Sequence, residues 1–200
     1  MFPGSLFRTV ALAALVALGS LSLSACGSGS STSGGNGRTD YVMDADGIAT
    51  VAEGERNPAG PLKGEDLQGG HLDVAAFRGK VVVINVWGSW CPPCRAEAPY
   101  LNKVAREMKP QGVEFVGINT RDGDKHPAKA FEDDFDMSYP SLYDPTGKLI
   151  LSGFPKGTVS LQGLPVTIAL DRNGKIAARI FGGTDGGQLH RMLDPLVEEK

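Results

Sequence analysis

Residues 81–101 read VVVINVWGSWCPPCRAEAPYL, and this one passage carries a strand, a turn and the opening of a helix. Val81 to Val86 is an almost unbroken β-branched run, interrupted only by Asn85. A run of this kind marks a strand covered on both faces, as strands inside a parallel sheet are. It leads straight into Trp87-Gly88-Ser89-Trp90-Cys91. After Cys94, the apolar residues Leu101, Val104, Ala105 and Met108 recur at i, i+3, i+4 and i+7, so an amphipathic helix opens at the cysteines and stops near Pro110-Gln111-Gly112. Pro99 is expected to kink it.

A strand that ends where a helix begins places Cys91 at the helix mouth, where unpaired N–H groups and the helix dipole favour a thiolate. Thiols in such settings have pKa values lowered to about 3.5–7.5. Cys91 is therefore the candidate nucleophile. Cys94, nearly one turn on, is placed to break a mixed disulfide and should be more covered by the helix. Trp90 offers an aromatic contact surface to a substrate, or simply packs against the site as Trp87 would. Other readings of the pair are a zinc site and a structural disulfide. Zinc needs four ligands, and His71, His126 and His190 are scattered without ligand spacing. A structural disulfide across so short a loop would constrain the unfolded chain little. The redox-active pair is preferred, given the strand that feeds the motif and the helix that leaves it.

Toward the N-terminus, Arg8 precedes an apolar stretch from Val10 to Leu23 that gives way to small residues at Ala25, the pattern of an export signal. The uninterrupted part, Val10 to Leu18, falls well short of the roughly 20 residues of a membrane-spanning helix. Leu23-Ser24-Ala25-Cys26 resembles a bacterial lipobox, which implies a lipidated Cys26 and a lipid anchor in the membrane. From Gly27 to Gly37 nine of eleven residues are Gly or Ser, a flexible tether of roughly 15–20 Å end to end. Most of Arg38 to Gly60 reads as linker or loosely packed lead-in. The expected division is residues 1–25 as signal peptide, 26–60 as lipidated cysteine and linker, and 61–200 as the folded domain. The formal charge of −3 and the lack of a Lys/Arg cluster exclude the basic footprint of a nucleic-acid-binding protein.

Between Leu62 and Lys80 apolar positions broken by Gly64 and Gly69-Gly70 predict a short hairpin and a turn at Gly79. Val113 to Ile118 predicts a second strand and Pro127 to Phe135 a helix. Ser141 to Tyr143 predicts a short strand before a brief helix over Lys148 to Ser152. Pro165 to Leu170 and Lys175 to Ile180, joined by Asp171-Arg172-Asn173-Gly174, predict a β-hairpin, followed by a helix from Asp185 to Val197. The fold class is α/β, with helices flanking a mixed central sheet. Glu132, Asp133, Asp134 and Asp136 are read as a solvated helix face, since no coordinating loop accompanies them.

Lys80 to Leu101, together with Gly163-Leu164-Pro165-Val166-Thr167, resembles the thioredoxin superfamily, and within it the TlpA/ResA type of lipoproteins and membrane-anchored reductases that includes the cytochrome c biogenesis branch. The resemblance spans Leu62 to Lys200. Asn85 in place of a buried aspartate, Glu97 three residues after the second cysteine, and an extra strand-helix insertion between Asn119 and Pro165 favour that branch. It implies a thioredoxin-like fold, a cis Pro165 facing the disulfide, and a proton-transfer role for Glu97, whose helical neighbours Pro93 and Leu101 leave it without an ion pair. Trp90, Pro92, Pro93 and Leu164 are the expected substrate contacts. The implied function is an extracytoplasmic disulfide reductase on the outer face of the cytoplasmic membrane, with no cofactor beyond the Cys91–Cys94 pair. It would act on thiols and disulfides of exported proteins, apocytochrome c among them, and draw on a membrane electron donor. A dithiol oxidase is the nearest rival, although a DsbA-type helical domain has no room between Asn119 and Pro165. A tethered client-binding module, its disulfide purely structural, is the other.

Overall fold

The computed structural model describes residues 39–199. The export signal, Cys26 and the Gly/Ser-rich tether lie outside them. The chain runs β1 (Val42–Met43), β2 (Ile48–Thr50), β3 (Lys63–Glu65), β4 (His71–Asp73), β5 (Val81–Trp87), α1 (Pro92–Met108), β6 (Val113–Thr120), α2 (Lys125–Asp134), β7 (Ser141–Asp144), α3 (Lys148–Gly153), β8 (Val166–Leu170), β9 (Ile176–Phe181) and α4 (Gly186–Glu198). Seven strands form one sheet in the order β1-β2-β9-β8-β5-β6-β7, and β3 pairs with β4 in a separate hairpin. β5 pairs in parallel with β6 and antiparallel with β8, so the sheet is mixed at its centre. This is the thioredoxin-like architecture expected of the chain.

The β5 run is buried at every residue, and its alternation assigns the two faces. Val81 and Val83 pack with Leu101, Val104, Leu189 and Leu193 of α1 and α4. Val82, Ile84 and Val86 face the opposite way, against Leu62, Val74, Ile150 and Phe154. Each such side chain contributes roughly 1.5–3 kcal/mol on full burial, so a strand buried on both faces anchors the domain. Asn85 shares the α1 face with Val83, and that placement decides its role in the site. Helix α1 continues through Pro99 as one element, beginning at Pro92 and Pro93, where a missing N–H costs nothing.

The expected boundary at residue 61 moves toward the N-terminus. Ile48, Ala49 and Val51 are buried, β2 pairs antiparallel with β9, and β1 pairs with β2. Arg56 is buried against Asp171 at 3.2 Å and Glu199 at 2.6 Å, closing the lead-in onto the end of the domain. Strands of two and three residues carry too little alternation to stand out in a polar segment. Glu132, expected on a solvated face, instead has one carboxylate oxygen buried and accepts a hydrogen bond from Gln68 Nε2.

Candidate active site

β5 delivers the turn from Trp87 to Cys91 to the end of the sheet, where Cys91 N donates to Gly88 O at 3.1 Å. Cys91 is the N-cap of α1, and its sulfur accepts from Cys94 N at 3.3 Å. The two cysteines form a disulfide with their Cα atoms 5.3 Å apart. In this oxidised state the Cys91 sulfur stands in for the thiolate that the same N–H would meet after reduction, a donor that stabilises negative charge. Cys91 is 2% exposed and Cys94 1%, so the disulfide form gives Cys91 no advantage in exposure. What separates the two sulfurs is position at the helix mouth.

Around the disulfide, Trp87, Ala98, Ala128 and Phe131 form a buried cluster that Leu164 joins from the other side. Trp87 stacks on Phe131 with centroids 4.3 Å apart and donates to Ser141 Oγ. Pro165 is buried, its peptide bond with Leu164 is cis, and its carbonyl accepts from Gly182 N at 2.9 Å. Pro92 and Pro93 are exposed on the first turn of α1, and a Cβ at Gly183 would lie 3.8 Å from Pro93. Trp90 is 46% exposed and folds over Gly88, where an added Cβ would stand 2.7 Å from the indole Nε1. The expected site residues Trp90, Cys91, Pro92, Pro93, Cys94, Leu164 and Pro165 thus gather at one end of the sheet.

Glu97 lies beneath them. It is 1% exposed and accepts from Asn85 Nδ2 at 2.8 Å and from Thr184 N at 3.1 Å. Asn85 Nδ2 also reaches Thr167 Oγ1 at 3.3 Å, linking the carboxyl to the strand that follows Pro165. Burial pushes the Glu97 pKa up to about 8, against the pull of its two hydrogen bonds. Glu97 is three residues beyond Cys94, so the two share a helix face, where such neighbours have Cβ atoms about 5–6 Å apart. A carboxyl with that pKa exchanges protons readily near neutrality. Its burial takes it off the solvated surface of α1.

Several residues without a motif complete the site. The Asp122 carboxylate, 6% exposed, accepts from Ser89 N at 2.9 Å, Ser89 Oγ at 2.6 Å and Asn119 Nδ2 at 2.6 Å, clamping the turn before Cys91. Arg121 carries its guanidinium 4.6 Å from the Trp90 ring centroid. Thr184 contributes only a backbone N–H, which no side-chain pattern announces. Asn85 alone had a signal, as the one polar residue in an apolar run. Among the described residues no group of three His, Cys, Asp or Glu side chains is placed to hold a metal ion.

The disulfide at a helix mouth, the cis-proline strand beside it and the buried carboxyl behind it define a thiol-disulfide oxidoreductase of thioredoxin-like fold. The Redoxin family model matches residues 52–193. The thiol-disulfide oxidoreductase ResA of Bacillus cereus is 32% identical over 132 residues, covering 66% of this chain and 72% of that protein. ResA of Bacillus subtilis is 29% identical over 158 residues, or 79% and 83% of the two chains. A DsbF homologue from Corynebacterium diphtheriae superposes with a TM-score of 0.70 at 33% identity, over 80% of this chain and all of that one (100%). A secreted thiol-disulfide isomerase from Corynebacterium glutamicum does so with 0.72 at 29% identity, over 81% and 98%. The chain belongs to the Redoxin family and, within it, to the ResA-type thiol-disulfide oxidoreductases.

Proposed function

We propose that this oxidoreductase works outside the cytoplasm, tethered through a lipidated Cys26, as a reductase of disulfides in exported proteins. The observation that carries the direction is the buried Glu97 on the Cys94 face of α1. That face is closed to water, and Cys94 on it is buried among apolar side chains, so a Cys94 thiolate is poorly solvated and the charged reduced states are disfavoured relative to the uncharged disulfide. A pair with that bias gives up electrons, which is the work of a reductant.

The Cys91 thiolate attacks a client disulfide, forms a Cys91–client mixed disulfide and expels one client thiolate. Cys94 then attacks Cys91 Sγ, its thiol proton taken by Glu97 in the carboxylate form that a pKa of about 8 keeps within reach near neutrality, and the second client thiolate leaves. Two electrons pass to the client and the Cys91–Cys94 disulfide remains. A membrane dithiol donor restores the reduced pair. Apocytochrome c, with its paired cysteines, is a client of the required chemistry. The export signal and the resemblance of residues 23–26 to a lipobox support the location. Among the described residues no helix is long and apolar enough to cross a membrane.

The test is to isolate the Cys94→Ala variant from cells. It should accumulate covalent adducts that dithiothreitol releases, and Cys91→Ser should abolish them. Wild-type protein found mainly reduced supports the reductase. Mainly oxidised protein that turns over dithiol clients establishes the oxidase, and a Cys91→Ser variant that binds clients without forming adducts establishes the binding module.

A further inference from the structure

The loop between β6 and α2 does two different things at adjacent residues. Asp122 turns inward and holds Ser89, while Arg121 turns outward and is exposed. Arg121 has φ +62°, in the left-handed region that residues bearing a Cβ avoid. That conformation sets its guanidinium over the Trp90 ring, and Nη1 donates to the Leu161 carbonyl at 3.1 Å. Leu161 belongs to the segment that runs into Leu164 and Pro165. Arg121 therefore bridges the two sides of the approach to Cys91, the Trp90 turn and the segment before the cis-proline.

Two other cations of this part of the domain are ion-paired. Arg95 pairs with Asp134, and Lys125 pairs with Glu65. Among the described residues Arg121 makes no ion pair, and only one of its donors is engaged, by a carbonyl. A guanidinium laid on an aromatic face is held in orientation and still presents its remaining N–H groups to a carboxylate. The adjacent Asp122 makes no ion pair with it, since both carboxylate oxygens are turned to Ser89 and Asn119.

We propose that Arg121 is a specificity-determining residue that reads an acidic side chain carried by the client beside the cysteine that joins Cys91. This rests on thiol-disulfide exchange at Cys91 and not on its direction. A carboxylate meeting the guanidinium at the rim would place the client's cysteine next to Trp90 before any bond exchanges. The contact is partly solvated, so its effect is a modest bias among clients and falls on binding.

The experiment uses three peptides, each with one internal disulfide and identical except for Glu, Gln or Lys beside one cysteine. Wild-type protein should favour the Glu over the Lys peptide by about fivefold in kcat/KM, chiefly through KM, and salt should shrink the ratio. Arg121→Gln should bring the peptides to within about twofold of one another, whereas Arg121→Lys, which keeps the charge, should preserve their order. Equal rates with the wild type overturn the proposal. So does an Arg121→Gln variant that slows all three peptides alike, which is the behaviour of a mere brace for Trp90. Run with the same peptides in dithiol form, the series also separates this proposal from the reductase reading. Turnover of the dithiols alone refutes the direction, while the charge order still decides the role of Arg121.

Discussion

Replacing Glu97 with glutamine removes an ionisable group from a place where burial opposes ionisation. The carboxyl is 1% exposed and its pKa stands at about 8, against 4.5 for the free group. Between those values the native protein holds a proton that the unfolded chain has lost, so stability falls as pH rises through the window. The slope is about 1.4 kcal/mol per pH unit, and the whole interval is worth about 5 kcal/mol at most, a large share of the roughly 5–15 kcal/mol that holds a domain folded. Glutamine has no such proton to lose. The new amide fits if Asn85 turns its side chain over, offering Oδ1 both to that amide and to the Thr167 hydroxyl. Relative to wild type, Glu97→Gln should therefore gain stability steadily from about pH 5 to pH 8 and level off above it. Urea unfolding of the oxidised proteins across that range measures the difference directly. Parallel stability curves at every pH would refute the reasoning, because they would mean that Glu97 ionises as a hydrated carboxyl does.

In the reduced protein Cys91 should alkylate faster than Cys94, since only Cys91 caps the helix; rates on the two single-cysteine variants decide it, and a faster Cys94 would exchange their roles. Arg56→Ala should cost about 3–5 kcal/mol in urea unfolding, because it leaves the buried Asp171 without its cation, and a loss within experimental error would show that the lead-in contributes little. Gly117→Ala should destabilise by about 1–3 kcal/mol, since the added methyl would overlap Ser141 Oγ and stand 2.8 Å from Trp87 Nε1; tryptophan fluorescence should report a displaced Trp87.

What the residues disclosed in advance follows the strength of their local pattern. Val81 to Val86 declared a central strand because continuous apolar character has no other economical use in a short run. Leu101, Val104, Ala105 and Met108 declared the helix by their period, and the two cysteines fell at the junction. The cis bond at Pro165 came from resemblance and not from any local signal. Buried polar contacts were illegible for a different reason. Asp122 meets Ser89 across 33 positions, Thr184 meets Glu97 across 87, and Arg56 meets Asp171 across 115, pairings set by how strands stack rather than by spacing. In β1 and β2 two or three residues cannot display alternation, and only the pairing of β2 with β9, and of β1 with β2, makes them part of the sheet.

The polarity of the sheet governs how the domain can be held. Thr39 bonds with Asn57, whose carbonyl accepts from Ile176 at the start of β9, and Glu199 meets Arg56 and Arg172 beside the β8–β9 turn. That turn lies at the pole of the sheet opposite Trp87 and Cys91, since Val82 pairs with Leu170 and Val86 with Val166. Both exits from the described domain therefore leave from the stern, with the disulfide at the bow. A protein coupled to an electrode, a bead or a fusion partner through either exit would present its sulfurs outward, so the same attachment that immobilises it leaves electron exchange unobstructed.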